Sequence, residues 1–111
     1  MKRTLLFLFL FISSVTLSFA YPDTYVERGK VSVCVGQFNN VADLVISNAA
    51  DCDMYVVVKV NCLIDDGNGA SHSVLVVEKR MSVKPGQTTI KNIKLPAKGF
   101  WAYPELVRVS R

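Results

Sequence analysis

A small antiparallel β-sandwich of about six to seven strands, immunoglobulin-like in layout, is the fold this chain predicts. Three observations lead there. The run Cys52-Asp-Met-Tyr-Val-Val-Val-Lys-Val-Asn-Cys62 alternates. Met54, Val56, Val58, Val60 and Cys62 fall on one wholly apolar face, and Tyr55, Val57, Lys59 and Asn61 on a mixed one, which is the pattern of a strand with one face in a core. Its three consecutive valines also disfavour helix, because β-branched side chains lose χ1 freedom there. Turn signals then recur at short intervals on both sides of this run, and no stretch after residue 20 carries a helical period.

The first twenty residues stand outside that fold. Lys2 and Arg3 give a basic start, Leu5 to Ile12 an unbroken apolar run, and Ser18-Phe19-Ala20 the small residues a signal peptidase reads. This order predicts a signal peptide over 1–20, cleavage after Ala20 and no membrane insertion thereafter. The alternative is an uncleaved anchor, for which the run is short. The expected location is therefore secreted and extracellular, with a bacterial periplasm as the alternative.

Residues 21–29 carry Pro, Gly and charges without a period and read as an N-terminal arm; 30–111 is the sandwich domain. Lys30 to Gly36 places Val31, Val33 and Val35 on one face against Ser32 and Cys34 on the other. Gln37-Phe38-Asn39-Asn40 is a turn, since Asn tolerates turn conformations. Ala42 to Ser47 forms the second strand, with Leu44 and Ile46 inward, and Asn48–Asp51 the turn into the central strand. Asp65-Asp66-Gly67-Asn68-Gly69-Ala70-Ser71 is the strongest turn signal. Ser73 to Val83 follows, with Leu75, Val77, Met81 and Val83 on one face. Lys84-Pro85-Gly86-Gln87 has the Pro-Gly order of a type II turn. Thr88 to Leu95 loses its period between Ile90 and Ile93, which predicts a bulge. Residues 96–104 read as an aromatic loop, and Glu105 to Val109 as the closing strand, with Val107 and Val109 inward.

A mature chain of residues 21–111 supports only a small core, and cross-links would help it. The chain has three cysteines, Cys34, Cys52 and Cys62, and an oxidising compartment favours one disulfide and one leftover thiol. Cys52 and Cys62 bracket a strand and would lie about 33 Å apart at roughly 3.3 Å per residue, whereas a disulfide needs Cα atoms within about 7 Å. With the first three strands running up, down and up, Cys34 and Cys62 share one end and form the expected pair. Cys34 lies opposite the Val31/Val33/Val35 face, so that pairing calls for a bulge near Gly36.

Catalytic chemistry finds no constellation here, and the expectation is a non-enzyme without cofactor or metal. The single histidine, His72, leaves a hydrolase triad, a zinc site and a blue-copper site all incomplete. Asp65 and Asp66 are adjacent and point apart on an extended chain, and their glycine turn lacks the ligand spacing and closing Glu of an EF-hand.

Binding features are easier to find. Residues 21–77 hold three basic against seven acidic residues, and residues 78–111 hold eight against two. A basic half attracts an acidic protein surface or polyanion; the plainer reading is a set of solvated strand faces. No nucleic-acid partner is expected. Phe100-Trp101-Ala102-Tyr103, with Lys98 beside it, has the composition of an interface hot spot, the competing reading being that Phe100 and Trp101 plug one end of the sandwich. The expected binding residues are Trp101, Tyr103, Lys91, Lys94 and Lys98. Lys79-Arg80 has the form of a dibasic processing site, but it falls in a strand and reads as surface charge.

The order Asn48…Asp51-Cys52…Val58-Lys-Val60-Asn-Cys62, then Pro85-Gly86-Gln87, then Tyr103-Pro104…Val107-Arg-Val109-Ser110, resembles the tapetum determinant-like family of small secreted plant proteins. The resemblance spans about residues 31–110. The chain departs from the family in having fewer cysteines, Arg111 where a late cysteine is usual, and Leu63 where a glycine follows the strand-ending cysteine, so neither a disulfide pattern nor a particular receptor carries over. The resemblance implies an extracellular ligand of a leucine-rich-repeat receptor kinase, acting in cell-fate signalling. A compact β domain with a basic face suits the concave surface of such a solenoid. The competing classes are an immunoglobulin-like periplasmic or extracellular binding or chaperone module, which an uncovered sheet edge would favour through strand addition, and a defence or inhibitor protein using the aromatic loop.

Overall fold

The computed structural model describes residues 21–111; the expected signal peptide, 1–20, lies outside the described residues. Seven strands follow in chain order: β1 (Tyr25–Arg28), β2 (Val31–Phe38), β3 (Val41–Asn48), β4 (Met54–Asp65), β5 (Ser71–Val83), β6 (Gly86–Lys94) and β7 (Gly99–Ser110). All pairings are antiparallel, in a four-stranded sheet ordered β1-β2-β3-β6 and a three-stranded sheet ordered β5-β4-β7. The two sheets stack with β1 and β2 over β7 and β6 beside β5. This is the expected β-sandwich.

Alternation builds the core. Val31, Val33 and Val35 of β2 and Leu44 and Ile46 of β3 face Val56, Val58, Val60 and Cys62 of β4, all essentially without solvent exposure. Burying each such side chain contributes about 1.5–3 kcal/mol. Hairpin turns set the register. Asn39, at φ +56°, begins the two-residue turn between β2 and β3, the left-handed conformation that such turns require and Asn tolerates. The expected bulge on β6 is present: Ala42 faces Ile93 but Leu44 faces Ile90, so Lys91 and Asn92 oppose Asp43, whose carboxylate accepts the Asn92 N–H at 3.0 Å.

Four sequence expectations are corrected. The N-terminal arm contains β1, which pairs with β2 from Tyr25↔Cys34 to Arg28↔Val31; four residues are too few to display a period. The aromatic loop is mostly strand, since β7 begins at Gly99. Its Pro104 is compatible because β7 is an edge strand, where one N–H can be missing from the ladder. On β7, Leu106 takes the buried place and Val107 is exposed, because the register slips between Val57↔Arg108 and Val58↔Leu106. On β5 a similar slip at Val76 turns Leu75 outward, leaving it 53% exposed, while Lys79 stands opposite inward-facing Val58.

Side chains tie the layers where strands end. Asn48 is the one buried polar side chain among the described residues. Its Nδ2 donates to the carbonyls of Cys52 and Val83, both at 3.0 Å, and its Oδ1 accepts the Ala50 N–H at 2.9 Å. At β7, Gly99 leaves room for the buried Cys62: a Cβ there would stand 2.7 Å from the Cys62 sulfur.

Candidate functional site

Period two places Trp101, Tyr103 and Glu105 on the outer face of the three-stranded sheet. Trp101 faces Leu63, Tyr103 faces Asn61 and Glu105 faces Lys59, all outward positions of β4. Trp101 is half-buried and is not part of the core, and Phe100 is exposed. Neither ring plugs the sandwich. The Tyr103 hydroxyl is hydrogen-bonded across β4 to the Ser73 hydroxyl, and Asn61 Nδ2 donates to Glu105 Oε1 at 3.4 Å.

Residues 21 and 22 complete the aromatic group. The Tyr21 ring lies 4.7 Å from that of Trp101, tilted by 45°, and 5.7 Å from that of Phe100, edge-on, both within the range of favourable aromatic pairs. The Trp101 indole N–H donates to the Pro22 carbonyl at 2.8 Å. Phe100 is the extra residue of a bulge, since Leu63 faces Trp101 but Ile64 faces Gly99, and the Tyr21 ring touches both side chains there. Sequence reasoning missed this, since no local pattern links residue 21 to residue 101.

A cleft of about 950 Å³ opens beside these rings, between Tyr21, Pro22, Lys98 and Phe100 on one side and Leu63 and the Asp65–Ser71 turn on the other. The turn is shaped by its own polar groups. Asp65 Oδ1 accepts the Gly67 N–H at 2.8 Å, Asn68 Oδ1 accepts the Ala70 N–H at 3.3 Å, and Asp66 lies 2.6 Å from His72 Nδ1. Gly67 and Gly69 take φ of +89° and +83°, which explains the residue type at both positions. Among the described residues no three His, Cys, Asp or Glu side chains gather as metal ligands.

The five expected binding residues do not form one surface. Trp101 and Tyr103 stand together on the outer sheet face, and Lys98 lines the adjoining cleft. Lys91 and Lys94 lie on β6, an edge strand of the other sheet, on the far side of the sandwich from β7. The outer face of the three-stranded sheet carries its own ion pair: Arg80 Nε donates to Glu78 Oε2 at 2.6 Å, and that hydrogen bond and charge raise the Arg80 pKa above its ordinary value.

The expected Cys34–Cys62 disulfide is absent, and all three cysteines are free. Cys34 is exposed on the outer face of its sheet while Cys62 is buried against the opposite sheet. The core lies between them, and no bulge at Gly36 turns Cys34 inward: β2 and β3 keep register from Val31↔Asn48 to Phe38↔Val41.

No family model, no curated protein and no solved structure matches the chain. The functional reading therefore rests on the site itself and on the resemblance drawn from its motifs.

Proposed function

We propose that this protein is secreted and acts without catalysis, as an extracellular ligand whose protein partner docks on the Trp101 end of the three-stranded sheet. The motif resemblance points to the ectodomain of a leucine-rich-repeat receptor kinase in cell-fate signalling. The observation that carries this reading is the position of Trp101. A large aromatic ring on an outer sheet face, flanked by Tyr21, Phe100 and Tyr103 and rimmed by Lys98, Lys59 and Glu105, has the composition of an interface centre with a charged rim. The remote Lys91 and Lys94 then act through the long-range field, on association rate and its salt dependence.

A second reading, a binding or chaperone module that adds a strand, draws on β5, which among the described residues pairs with β4 alone and leaves its other edge open. The bulge at Val76 and the inward Lys79 oppose it, both being devices that discourage edge pairing.

Surface plasmon resonance of the mature protein against a panel of leucine-rich-repeat receptor-kinase ectodomains tests the first reading. Trp101→Ala is expected to weaken the responding pair by about 2 kcal/mol or more. Reversal of Lys91 and Lys94 is expected to slow association chiefly at low salt. Binding that survives Trp101→Ala unchanged contradicts the proposal.

A further inference from the structure

We infer that the Trp101 seat recognises an extended segment bearing an aromatic–proline pair, and that the chain's own Tyr21-Pro22 occupies this seat until a partner segment of the same chemistry displaces it. The inference rests on the reading that Trp101 anchors a protein partner, and it names the chemistry that partner presents.

The present occupant defines the ligand. An indole has one hydrogen-bond donor, and here it is spent on the carbonyl of a proline, while the preceding tyrosine ring packs on Trp101 and Phe100. Aromatic grooves that receive proline-containing segments exploit the preformed extended backbone of those segments, whose φ is already fixed and costs little entropy to bind. Tyr21-Pro22 lies against β7 in the manner of such a ligand, supplied in cis.

The occupant is also lightly held. Tyr21 remains 53% exposed, and among the described residues the Trp101–Pro22 bond is the one hydrogen bond made by residues 21–23. The next tie is Thr24, whose carbonyl accepts the Val35 N–H at 2.9 Å just before β1. Release of residues 21–23 therefore leaves β1 paired and the sandwich intact, a local opening of small cost.

Finally, the pair fills only the rim of its site. The cleft of about 950 Å³ runs on from Tyr21 and Pro22 past Phe100 and Lys98 to the Asp65–Ser71 turn, a volume at the upper end of ordinary ligand sites. A partner segment can place its flanking residues there, with one cation (Lys98) and one carboxylate (Asp65) to meet them.

The test uses an acetylated peptide, Tyr-Pro-Asp-Thr-Tyr, copying residues 21–25. It is titrated by calorimetry into the mature protein and into a Tyr21→Gly, Pro22→Gly variant, with thermal melts confirming that both are folded. The tethered segment competes at a high effective concentration, so the double variant is expected to bind about tenfold or more tightly than the unaltered protein. Trp101→Phe in that background keeps a ring, removes the donor and is expected to lose binding. Trp101 is the only tryptophan, so its indole N–H resonance in the double variant, whose seat is empty, reports occupancy directly and is expected to shift on peptide addition toward its position in the unaltered protein. Equal affinity of the two proteins, full binding by the Trp101→Phe form, or an unmoved indole resonance at saturating peptide overturns the inference. If the peptide fails while Trp101→Ala still weakens ectodomain binding, only this inference falls. If Trp101→Ala leaves ectodomain binding intact, the proposed function falls whatever the peptide does.

Discussion

The two edges of the three-stranded sheet are treated in opposite ways. At β7 the free edge is covered by the rest of the chain: Gln37 Oε1 accepts the Ala102 N–H at 2.9 Å, Arg28 donates to the Val107 carbonyl at 2.7 Å, and Tyr21-Pro22 lies over Trp101. At β5 no strand or strap among the described residues covers the edge, and the protection is internal to the strand, in the bulge at Val76 and the inward Lys79. A shallow apolar groove lined by Val74, Leu75, Val76, Leu95 and Pro96 remains there, with Lys94 at its side. The β5 edge is arranged to reject strands by charge and irregularity, whereas the β7 edge is satisfied by particular side chains and presents particular rings.

The largest expected effect comes at the end of β5, where Asn48 clamps the Val83 carbonyl. Asn48→Ala removes three hydrogen bonds and leaves the Cys52 and Val83 carbonyls and the Ala50 N–H without their partner. At about 1–3 kcal/mol for the buried Val83 carbonyl and about 0.5–1.5 kcal/mol for each of the two part-buried bonds, a loss of about 3 kcal/mol is expected in a urea titration. Gly99→Ala, at the start of β7, ranks next. The new methyl group meets the Cys62 sulfur at 2.7 Å and the Pro96 carbonyl at 3.0 Å, and overpacking of this kind costs about 1–3 kcal/mol. Cys62→Ala in the same molecule is expected to recover part of that loss, and a double-mutant cycle showing strict additivity would contradict the contact.

The edges themselves give the smallest stability changes and the clearest contrast. Arg28→Ala is expected to cost about 1 kcal/mol and to uncover the Leu106 and Val107 carbonyls. Lys79→Val is expected to leave the monomer as stable or more so, yet to promote self-association through β5, visible as a concentration-dependent shift in sedimentation velocity. A Lys79→Val protein that stays monomeric at high concentration would show that the bulge alone protects this edge.

Much of the fold was legible because alternation is a strong signal over eight or more residues. β4 announced itself through Met54 to Cys62, and the lost period between Ile90 and Ile93 marked the β6 bulge. β1 escaped because Tyr25–Arg28 is too short to show a period, and β7 was read short because Gly99 and Pro104 look like breakers when the position of an edge strand is unknown. The disulfide expectation failed on information the sequence held: Cys34 alternates with Val33 and Val35, and a residue opposite the core face cannot reach Cys62 across the core. Of the site, the shared face of Trp101 and Tyr103 follows from their spacing of two. The separation of Lys91 and Lys94 from them does not, since it depends on which edge each strand occupies. The contact of Tyr21-Pro22 with Trp101 is tertiary and left no local mark.

The central claim is that Trp101 belongs to a surface seat and not to the core, and the thermal melt of Trp101→Ala tests it most directly. Followed by circular dichroism, the variant is expected to keep the β spectrum and to lose less than about 1.5 kcal/mol, a fall in Tm below about 10 °C for a domain of this size. A core aromatic truncated to alanine loses about 3–5 kcal/mol; a fall of that size, or a protein that does not fold, would contradict the account.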